Sequence, residues 1–221
     1  MLKLLKIFCM FLFVFTGIAQ AQGEIAVPST AARAWANSKG NELIQALATT
    51  DTAVKYAKLD KMMTEDVNLD YISKFVIGKY ARLMDNEQKQ KYESLFRRYA
   101  LSLYKKTNLD FDVNNINFTI NTVSEYPKFT NVICTVDLGK LTKDIEIEKI
   151  PVKFKLIRSP DHNIQAVDVE ISNVSMVIEY RKRFYQMIHD EDENIDWFLE
   201  KFEDKVKANE ESITAKPTTA G

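Results

Sequence analysis

The sequence has few of the residues that most often perform chemistry or interrupt secondary structure. Its 221 residues include two cysteines, two histidines, six glycines and five prolines. It contains no Cys-x-x-Cys, His-Glu-x-x-His or Gly-x-Ser-x-Gly motif and no glycine-rich phosphate loop. His162 falls in a predicted turn and His189 at a predicted helix end, and both are expected at the surface. We therefore predict no catalytic residue and no metal site.

The sequence has no large excess of positive or negative charge, since it contains 30 basic and 31 acidic residues. A nucleic-acid-binding domain usually carries a clear basic patch or a high pI, so nucleic acid is not a predicted partner. Cys134 is the one cysteine outside the first 21 residues. Because it lies on the apolar side of a predicted strand, we expect a buried core thiol, with pairing to another chain as the alternative.

The first residues have the pattern of a signal peptide. Lys3 and Lys6 precede an almost unbroken apolar run over residues 7–18, and Ala19-Gln20-Ala21 places small residues where a signal peptidase cleaves. The run is about 12 residues long, short of the roughly 20 that span a bilayer as a helix. We expect residues 1–21 to be removed and the mature chain to be exported and soluble.

Residues 31–108 have helical periodicity. Apolar residues recur every three or four positions in three segments, at residues 31–50, 52–63 and 69–83. A fourth helix is predicted to begin at Asp85, an N-cap residue followed three positions later by Gln88. Its apolar face is wide and rich in aromatic rings, and carries Tyr92, Leu95, Phe96, Tyr99 and Leu103. Taken alone, such a stripe is expected to pack against the protein's own sheet.

From Ile116 the apolar period changes from 3.6 to 2 residues, which is typical of strands with one buried face. Four segments alternate in this way within residues 115–172. Short turns are predicted between them, at Tyr126-Pro127-Lys128, around Gly139 and at Ser159-Pro160-Asp161. Short turns between successive strands favour an antiparallel meander.

Two helices are predicted over residues 173–208, with Asn173 and Asn194 as their caps. The polar residues 209–221 are predicted to be disordered. Residues 22–208 are expected to form one domain of the α+β class, a four-stranded antiparallel sheet with helices packed over one face and an N-terminal helical part.

Asp168 and Glu170 share one side of the last predicted strand. A carboxylate pair can serve as acid and base, but Lys153 and Lys155 lie on a neighbouring predicted strand. A surface charge ladder is the preferred interpretation.

Two groups of motifs resemble those of the MlaC family of periplasmic phospholipid-binding proteins, also called the toluene-tolerance family. The first comprises Asp70-Tyr-Ile-Ser-Lys-Phe-Val-Ile-Gly-Lys-Tyr-Ala81, Glu87-Gln88 and the run from Phe96-Arg-Arg-Tyr99 to Tyr104. The second comprises Val167-Asp-Val-Glu-Ile171, Val174-Ser-Met-Val177 and Tyr180-Arg-Lys-Arg-Phe184. The likeness extends over most of residues 35–206.

The chain departs from the family pattern at three positions. Ala81 stands where the family often has Trp, Ile164 lies near another common Trp, and Asn173 replaces a usual Gly. The first two change the apolar volume. Asn tolerates the left-handed backbone that a Gly supplies, so the third change is mild.

The resemblance implies a non-catalytic periplasmic carrier without a cofactor, whose ligand is a phospholipid held in an apolar cavity. It implies exchange with an outer-membrane lipoprotein complex and an inner-membrane ABC transporter carrying an MCE-domain ring, in a pathway for outer-membrane lipid asymmetry. The cavity is expected between the sheet and the aromatic fourth helix. The predicted lipid-binding residues are Phe75, Val76, Tyr80, Phe96, Tyr99, Leu103, Phe154, Val169, Val174, Val177 and Phe184.

Two other functions remain open at this stage. An exported interaction or scaffold module would have the same periodicity, but its helices and sheet would pack together without a cavity between them. An enzyme would need a polar cluster inside the cavity, and the sequence does not indicate one.

Overall fold

The computed structural model describes residues 26–106, 116–137, 140–142, 145–146 and 149–214. The predicted signal peptide, the turn around Gly139 and residues 215–221 of the predicted tail lie outside these ranges. The helices are α1 Ser29–Leu47, α2 Thr52–Glu65, α3 Leu69–Ile77, α4 Asn86–Lys106, α5 Met176–Asp190 and α6 Ile195–Thr214. The strands are β1 Asn117–Tyr126, β2 Phe129–Asp137, β3 Lys140–Thr142, β4 Ile145–Glu146, β5 Ile150–Arg158, β6 Ile164–Ile171 and β7 Val174–Ser175.

Local hydrogen bonds explain where the helices begin. The amide of Gln88 donates to the Asp85 carboxylate at 2.8 Å, and the Gln88 side chain accepts from the Asp85 amide at 3.0 Å. This reciprocal pair is the predicted capping box of α4. The Asn194 side chain accepts from the amides of Asp196 and Trp197, which confirms it as the cap of α6.

The predicted third helix is interrupted. The α-helix ends at Ile77, and a 3-10 turn follows over Gly78–Arg82. Gly78 has a φ of 49° and a ψ of −120°, a positive-φ conformation that ends the α-helix and that glycine adopts without strain.

The main sheet has the order β1-β2-β5-β6-β7, and every neighbouring pair is antiparallel. The four predicted strands are present, but the four-stranded prediction was incomplete. The two-residue β7 extends the sheet, and β3 and β4 form a separate two-stranded ribbon between β2 and β5. Ala166 exchanges backbone hydrogen bonds with Asp66 and Asn68, so the segment before α3 covers the remaining edge of β6.

The second half also differs from prediction at two helix ends. Asn173 has a φ of 65° in the turn before β7, as expected for a residue that replaces Gly. It does not cap α5, because the Ser175 hydroxyl is the acceptor for the Ile178 amide. Helix α6 continues to Thr214, so residues 209–214 are helical and not disordered as predicted. Asn209 is buried and donates to Ser102, and Glu210 pairs with Arg98, which ties this end of α6 to α4.

The core has two parts. In the first, α1 packs on β1 and β2. In the second, α3, α4, α5 and α6 pack against one another beside the β6 edge. The expectation that α4 lies over the sheet was wrong, because its aromatic face is covered by other helices.

Candidate functional site

One face of the main sheet is almost entirely apolar. Residues paired directly across antiparallel strands share a face, so the registers of β1, β2, β5 and β6 define it. We call it the apolar sheet face, and its members are Phe118, Ile120, Val123, Val132, Cys134, Val136, Ile150, Val152, Phe154, Leu156, Ile164, Ala166, Val169 and Ile171.

The residues that the structure describes cover only part of this face. Val132, Cys134 and Leu156 are 0% exposed, in one cluster with Ala32 and Ala36 of α1. Small side chains on α1 let it approach these strands closely. Around these three residues the cover is less complete. The half-buried members are Phe118, Ile120, Val123, Val136, Ile150, Val152, Phe154, Ile164 and Val169.

The incomplete cover continues to the β6–β7 turn. Ile171 pairs with Val174 across that turn, and the two are 41% and 44% exposed. An apolar surface therefore extends from the half-buried β5 and β6 residues to the outside of the molecule.

The opposite sheet face is polar. Lys153 pairs with Glu170 on the neighbouring strand, which confirms one pair of the predicted charge ladder, whereas Asp168 is buried and not part of a surface ladder. Asp168 accepts a 2.7 Å hydrogen bond from the Ser175 hydroxyl and a longer one from the Val177 amide. Both carboxylates therefore have structural partners, and their side chains lie on the face opposite the apolar one.

Most predicted lipid-binding residues lie in the helical core. Phe184 is 1% exposed, and its ring lies 4.9–6.1 Å, centroid to centroid, from five other aromatic rings. The buried predicted members around it are Val76, Tyr80, Phe96, Tyr99 and Val177, and the half-buried ones are Phe75 and Leu103. This core is closed by side chains of α6 such as Phe198 and Phe202, both fully buried.

The other predicted members lie at the sheet. Phe154 and Val169 are direct neighbours on the apolar sheet face, and Val174 lies at its exposed end. The structure thus divides the predicted set between two regions and does not bring Phe154 together with Phe96 or Phe184. The binding role of each residue stays a prediction, whereas the expected contact between α4 and the sheet is corrected.

Sequence reasoning left several residues of this face out of the predicted site. Trp35 of α1 contacts Phe154, and Ile120, Val152 and Ile171 have the same alternation as the residues that were named. The period-2 pattern marked the strand residues as apolar. It did not indicate which of these strand residues the helices would leave partly exposed.

The ionisable groups in the two cores are held neutral. Burial raises the pKa of the Cys134 thiol to about 12, so the thiol is protonated at neutral pH. Burial also raises the pKa of Tyr99 and Tyr180. In the described part of the chain, no group of three or more His, Cys, Asp or Glu residues could hold a metal ion.

The described helices include none that is long and apolar enough to cross a membrane. With its antiparallel sheet and flanking helices, the fold is that of an α+β protein with a partly exposed apolar sheet face. The model of the MlaC protein family matches residues 38–204. The chain therefore belongs to the MlaC family.

A solved structure has the same fold. It is a phospholipid-binding protein from Ralstonia solanacearum in complex with a phospholipid, and it is 12% identical in sequence with a TM-score of 0.62. The alignment covers 80% of this chain and 98% of the other. Comparison with curated proteins gives no match.

Proposed function

We propose that this chain binds a phospholipid and carries it through the periplasm. The observation that carries the proposal is the incompletely covered apolar sheet face, which continues to exposed Ile171 and Val174. Membership of the MlaC family and the fold shared with a phospholipid-bound protein support it.

The energetics explain why a carrier is needed. Each acyl CH₂ kept from water contributes about 0.8 kcal/mol, so the two tails of a membrane lipid are held in a bilayer by roughly 20 kcal/mol. Uncatalysed escape into water at that cost is very slow. A protein that offers an apolar surface in place of the bilayer removes most of the cost, and the charged headgroup can stay in solvent.

The tails are proposed to lie along the half-buried residues of β5 and β6. Phe154 and Val169 are adjacent there, and Val152 and Ile171 continue the surface toward the β6–β7 turn. The headgroup would lie near this turn, where the apolar surface meets water. Helix α1 would form one wall through Trp35, whose ring contacts Phe154.

The proposal includes localisation and partners. The signal-peptide pattern of residues 1–21 supports export, and the family supports exchange with an outer-membrane lipoprotein complex and an inner-membrane MCE-domain ABC transporter. No catalytic step is proposed, because the two strand carboxylates with acid–base potential are engaged in an ion pair and a helix cap.

Native mass spectrometry of the purified mature protein tests the binding function. We expect a folded protein carrying about one phospholipid, since a large apolar surface is stable in water only when it is covered. Val152→Trp should reduce the bound lipid, because Val152 lies on the apolar sheet face. Thr119→Trp is the matched control, because Thr119 is exposed on the opposite face of β1.

The alternative function is an exported interaction or scaffold module. The aromatic core of α3 to α6 suits that function, since Phe184 is 1% exposed and its ring is packed among other aromatic rings. Folded protein that repeatedly yields no lipid on solvent extraction, before and after incubation with phospholipid vesicles, would favour the scaffold and reject the carrier.

A further inference from the structure

A cluster of hydrogen-bond donors lies where α3 passes into the 3-10 turn and packs against α5. Its members are Lys79 in the turn, and Arg181 and Tyr185, which are one helical turn apart on α5. We call it the donor cluster. None of its three residues lies on the main sheet, so it is separate from the apolar sheet face.

The Tyr185 hydroxyl is the centre of the donor cluster. Its oxygen accepts a 3.1 Å hydrogen bond from the backbone amide of Lys79 and a 2.8 Å hydrogen bond from the Arg181 guanidinium. A phenolic oxygen that accepts two hydrogen bonds still has its own proton to donate. Among the described residues no acceptor takes this proton. Because two donors hold the oxygen in place, the remaining O–H has a restricted direction.

Two aromatic rings hold the Arg181 side chain. Its guanidinium carbon lies 4.9 Å from the ring centroid of Phe75 on α3 and 5.1 Å from that of Tyr185. Contacts with ring faces keep a planar guanidinium in one orientation. Within the described ranges Arg181 has no carboxylate at ion-pair distance, whereas the next residue, Lys182, pairs with Glu179 at 2.7 Å. The N–H groups of Arg181 that do not bond Tyr185 are therefore oriented and available.

Lys79 adds a second positive charge beside the same ring. Its ammonium nitrogen lies 5.8 Å from the ring centroid of Tyr185 and 4.6 Å from that of Tyr80. The Lys79 side chain is exposed and forms no ion pair with a described residue. One carboxylate contacts these rings, that of Glu193, and it accepts the Tyr80 O–H at 3.0 Å. With Glu193 included, the surroundings carry two positive charges and one negative.

The kinds of donor decide which anion fits. The cluster offers a guanidinium, an ammonium and a hydroxyl, and they come from two elements of the fold. A phosphate group presents oxygens in several directions, whereas a carboxylate presents two oxygens in one plane. Arginine and lysine are the usual phosphate-binding side chains. Since Arg181 and Tyr185 are half-buried and already held by contacts, a ligand would lose little free energy in ordering them.

We propose that the donor cluster binds a phosphate group. Its oxygens accept from the Arg181 guanidinium and the Tyr185 hydroxyl, and the Lys79 ammonium contributes charge from the 3-10 turn. Free phosphate and the headgroup of a phospholipid present the same oxygens, so either can supply the group. The site does not depend on the lipid carriage proposed above, because binding of free phosphate alone would reveal it.

Nuclear magnetic resonance titration of the full mature protein tests the site. The probe is sodium phosphate at neutral pH and constant ionic strength, with sodium acetate titrated in parallel. We expect saturable shifts of the amides of Lys79, Arg181 and Tyr185, with a Kd of about 1–10 mM, which two charge-assisted hydrogen bonds can provide. Acetate should bind at least about threefold more weakly, because it has fewer oxygens to share among the donors.

Substitutions at the two cations test the cluster directly. Arg181→Gln and Lys79→Gln should each weaken phosphate binding by about fivefold or more. Because the Lys79 side chain is exposed, its variant should keep the melting temperature even if loss of the ring contacts lowers that of Arg181→Gln. Arg183→Gln is the matched control, since Arg183 is exposed and lies about 200° around α5 from Arg181. It should bind phosphate as the unmodified protein does.

The phospholipid bound to the same variants, measured by native mass spectrometry, identifies the source of the phosphate. If Arg181→Gln and Lys79→Gln keep the lipid and lose the shifts, the ligand is free phosphate. If both carry less lipid than Arg183→Gln, the ligand is a lipid headgroup. In that case phosphate should not shift the amides of the lipid-loaded protein, because the headgroup already occupies the donor cluster.

Three results would overturn the proposal. The first is no saturable shift together with unchanged lipid in both variants. The second is acetate binding as tight as that of phosphate, and the third is phosphate binding that neither substitution weakens. Lipid-loaded protein with any of these results rejects the donor cluster alone. Protein that never carries lipid but binds phosphate at the cluster rejects the carrier proposal alone.

Discussion

Trp35 of α1 meets Phe154 of β5 edge to face, with ring centroids 6.2 Å apart and ring planes at 72°. On one side Phe154 pairs with Val132, which is fully buried, and on the other with Val169, which is half-buried. The two rings therefore lie at the boundary between the covered and the partly covered halves of the apolar sheet face. Helix α1 is held at this boundary by an aromatic contact.

Trp35→Ala is expected to destabilise the protein by about 1–3 kcal/mol through lost packing. In a double-mutant cycle with Phe154→Ala, the coupling energy should be about 0.5–1.5 kcal/mol, the usual contribution of an edge-to-face pair. Urea unfolding of the four proteins measures it. Additive effects, within about 0.3 kcal/mol, would mean that the two rings do not stabilise each other.

Much of the fold follows from local sequence signals. Asp85 and Gln88 predicted the start of α4, and the alternation around Val132 and Phe154 predicted strands and their apolar face. These signals are short-range, so they are readable without knowledge of the tertiary structure. The two-residue β7 carries too few positions to show a period and was not predicted.

The candidate site was predicted less well, for a physical reason. Periodicity shows that Phe96, Tyr99 and Leu103 share one face of α4, but not which element covers it. In the structure that face packs in the helical core with Phe184 and Phe202. The distance between the helices and the sheet decides which apolar face stays partly exposed. The alternation of residues in the strands does not indicate that distance.

Gly78 is the position where a side chain should be least tolerated. Its φ is 49°, and an added Cβ would meet the Tyr185 hydroxyl and lie 2.7 Å from the Arg181 guanidinium. Gly78→Ala should lower the free energy of unfolding by about 1–3 kcal/mol. Adding Tyr185→Phe should recover part of the loss, because the closest obstructing atom is removed. Thermal unfolding of both variants tests this, and no loss for Gly78→Ala would contradict the backbone conformation.

Glu203 should make stability depend on pH in the acid range. Its carboxylate accepts hydrogen bonds from Lys207 and Lys91, which lower its pKa from 4.5 to about 2. Since the pKa is lower in the folded state, the unfolded chain binds the proton first as pH falls. The stabilisation is therefore complete above about pH 5 and is lost as pH falls from about 4.5 toward 2.

Glu203→Gln checks this sign. The difference in unfolding free energy between the unmodified protein and the variant should be constant near neutral pH and should shrink below about pH 4.5. It should be small, because the carboxylate is partly exposed to solvent and salt screens it. Glu200→Gln, on the same helix, is the control for removal of a carboxylate. A difference that grows as the pH falls would be the opposite of the expected result.

The division of the predicted residues between helical core and sheet face is tested by one substitution in each. Val177 is 9% exposed in the closed core around Phe184, so Val177→Trp should overpack it and cost about 1–3 kcal/mol. Val169 is half-buried on the apolar sheet face next to Phe154. Val169→Trp should therefore keep most of the stability while its indole occupies space proposed for acyl tails.

Melting temperature and bound phospholipid, measured on the same samples, separate the two cases. Val177→Trp should melt lower and, while folded, still carry lipid, whereas Val169→Trp should melt near the unmodified protein and carry less. The sequence alone placed Val177 and Val169 in one lipid-binding set, which would give both variants the same loss of lipid. Equal lipid loss, with Val177→Trp keeping its stability, would show that a cavity opens in the helical core and would move the site there. If both variants lose stability while their lipid content is unchanged, the apolar sheet face is closely packed and does not hold the lipid.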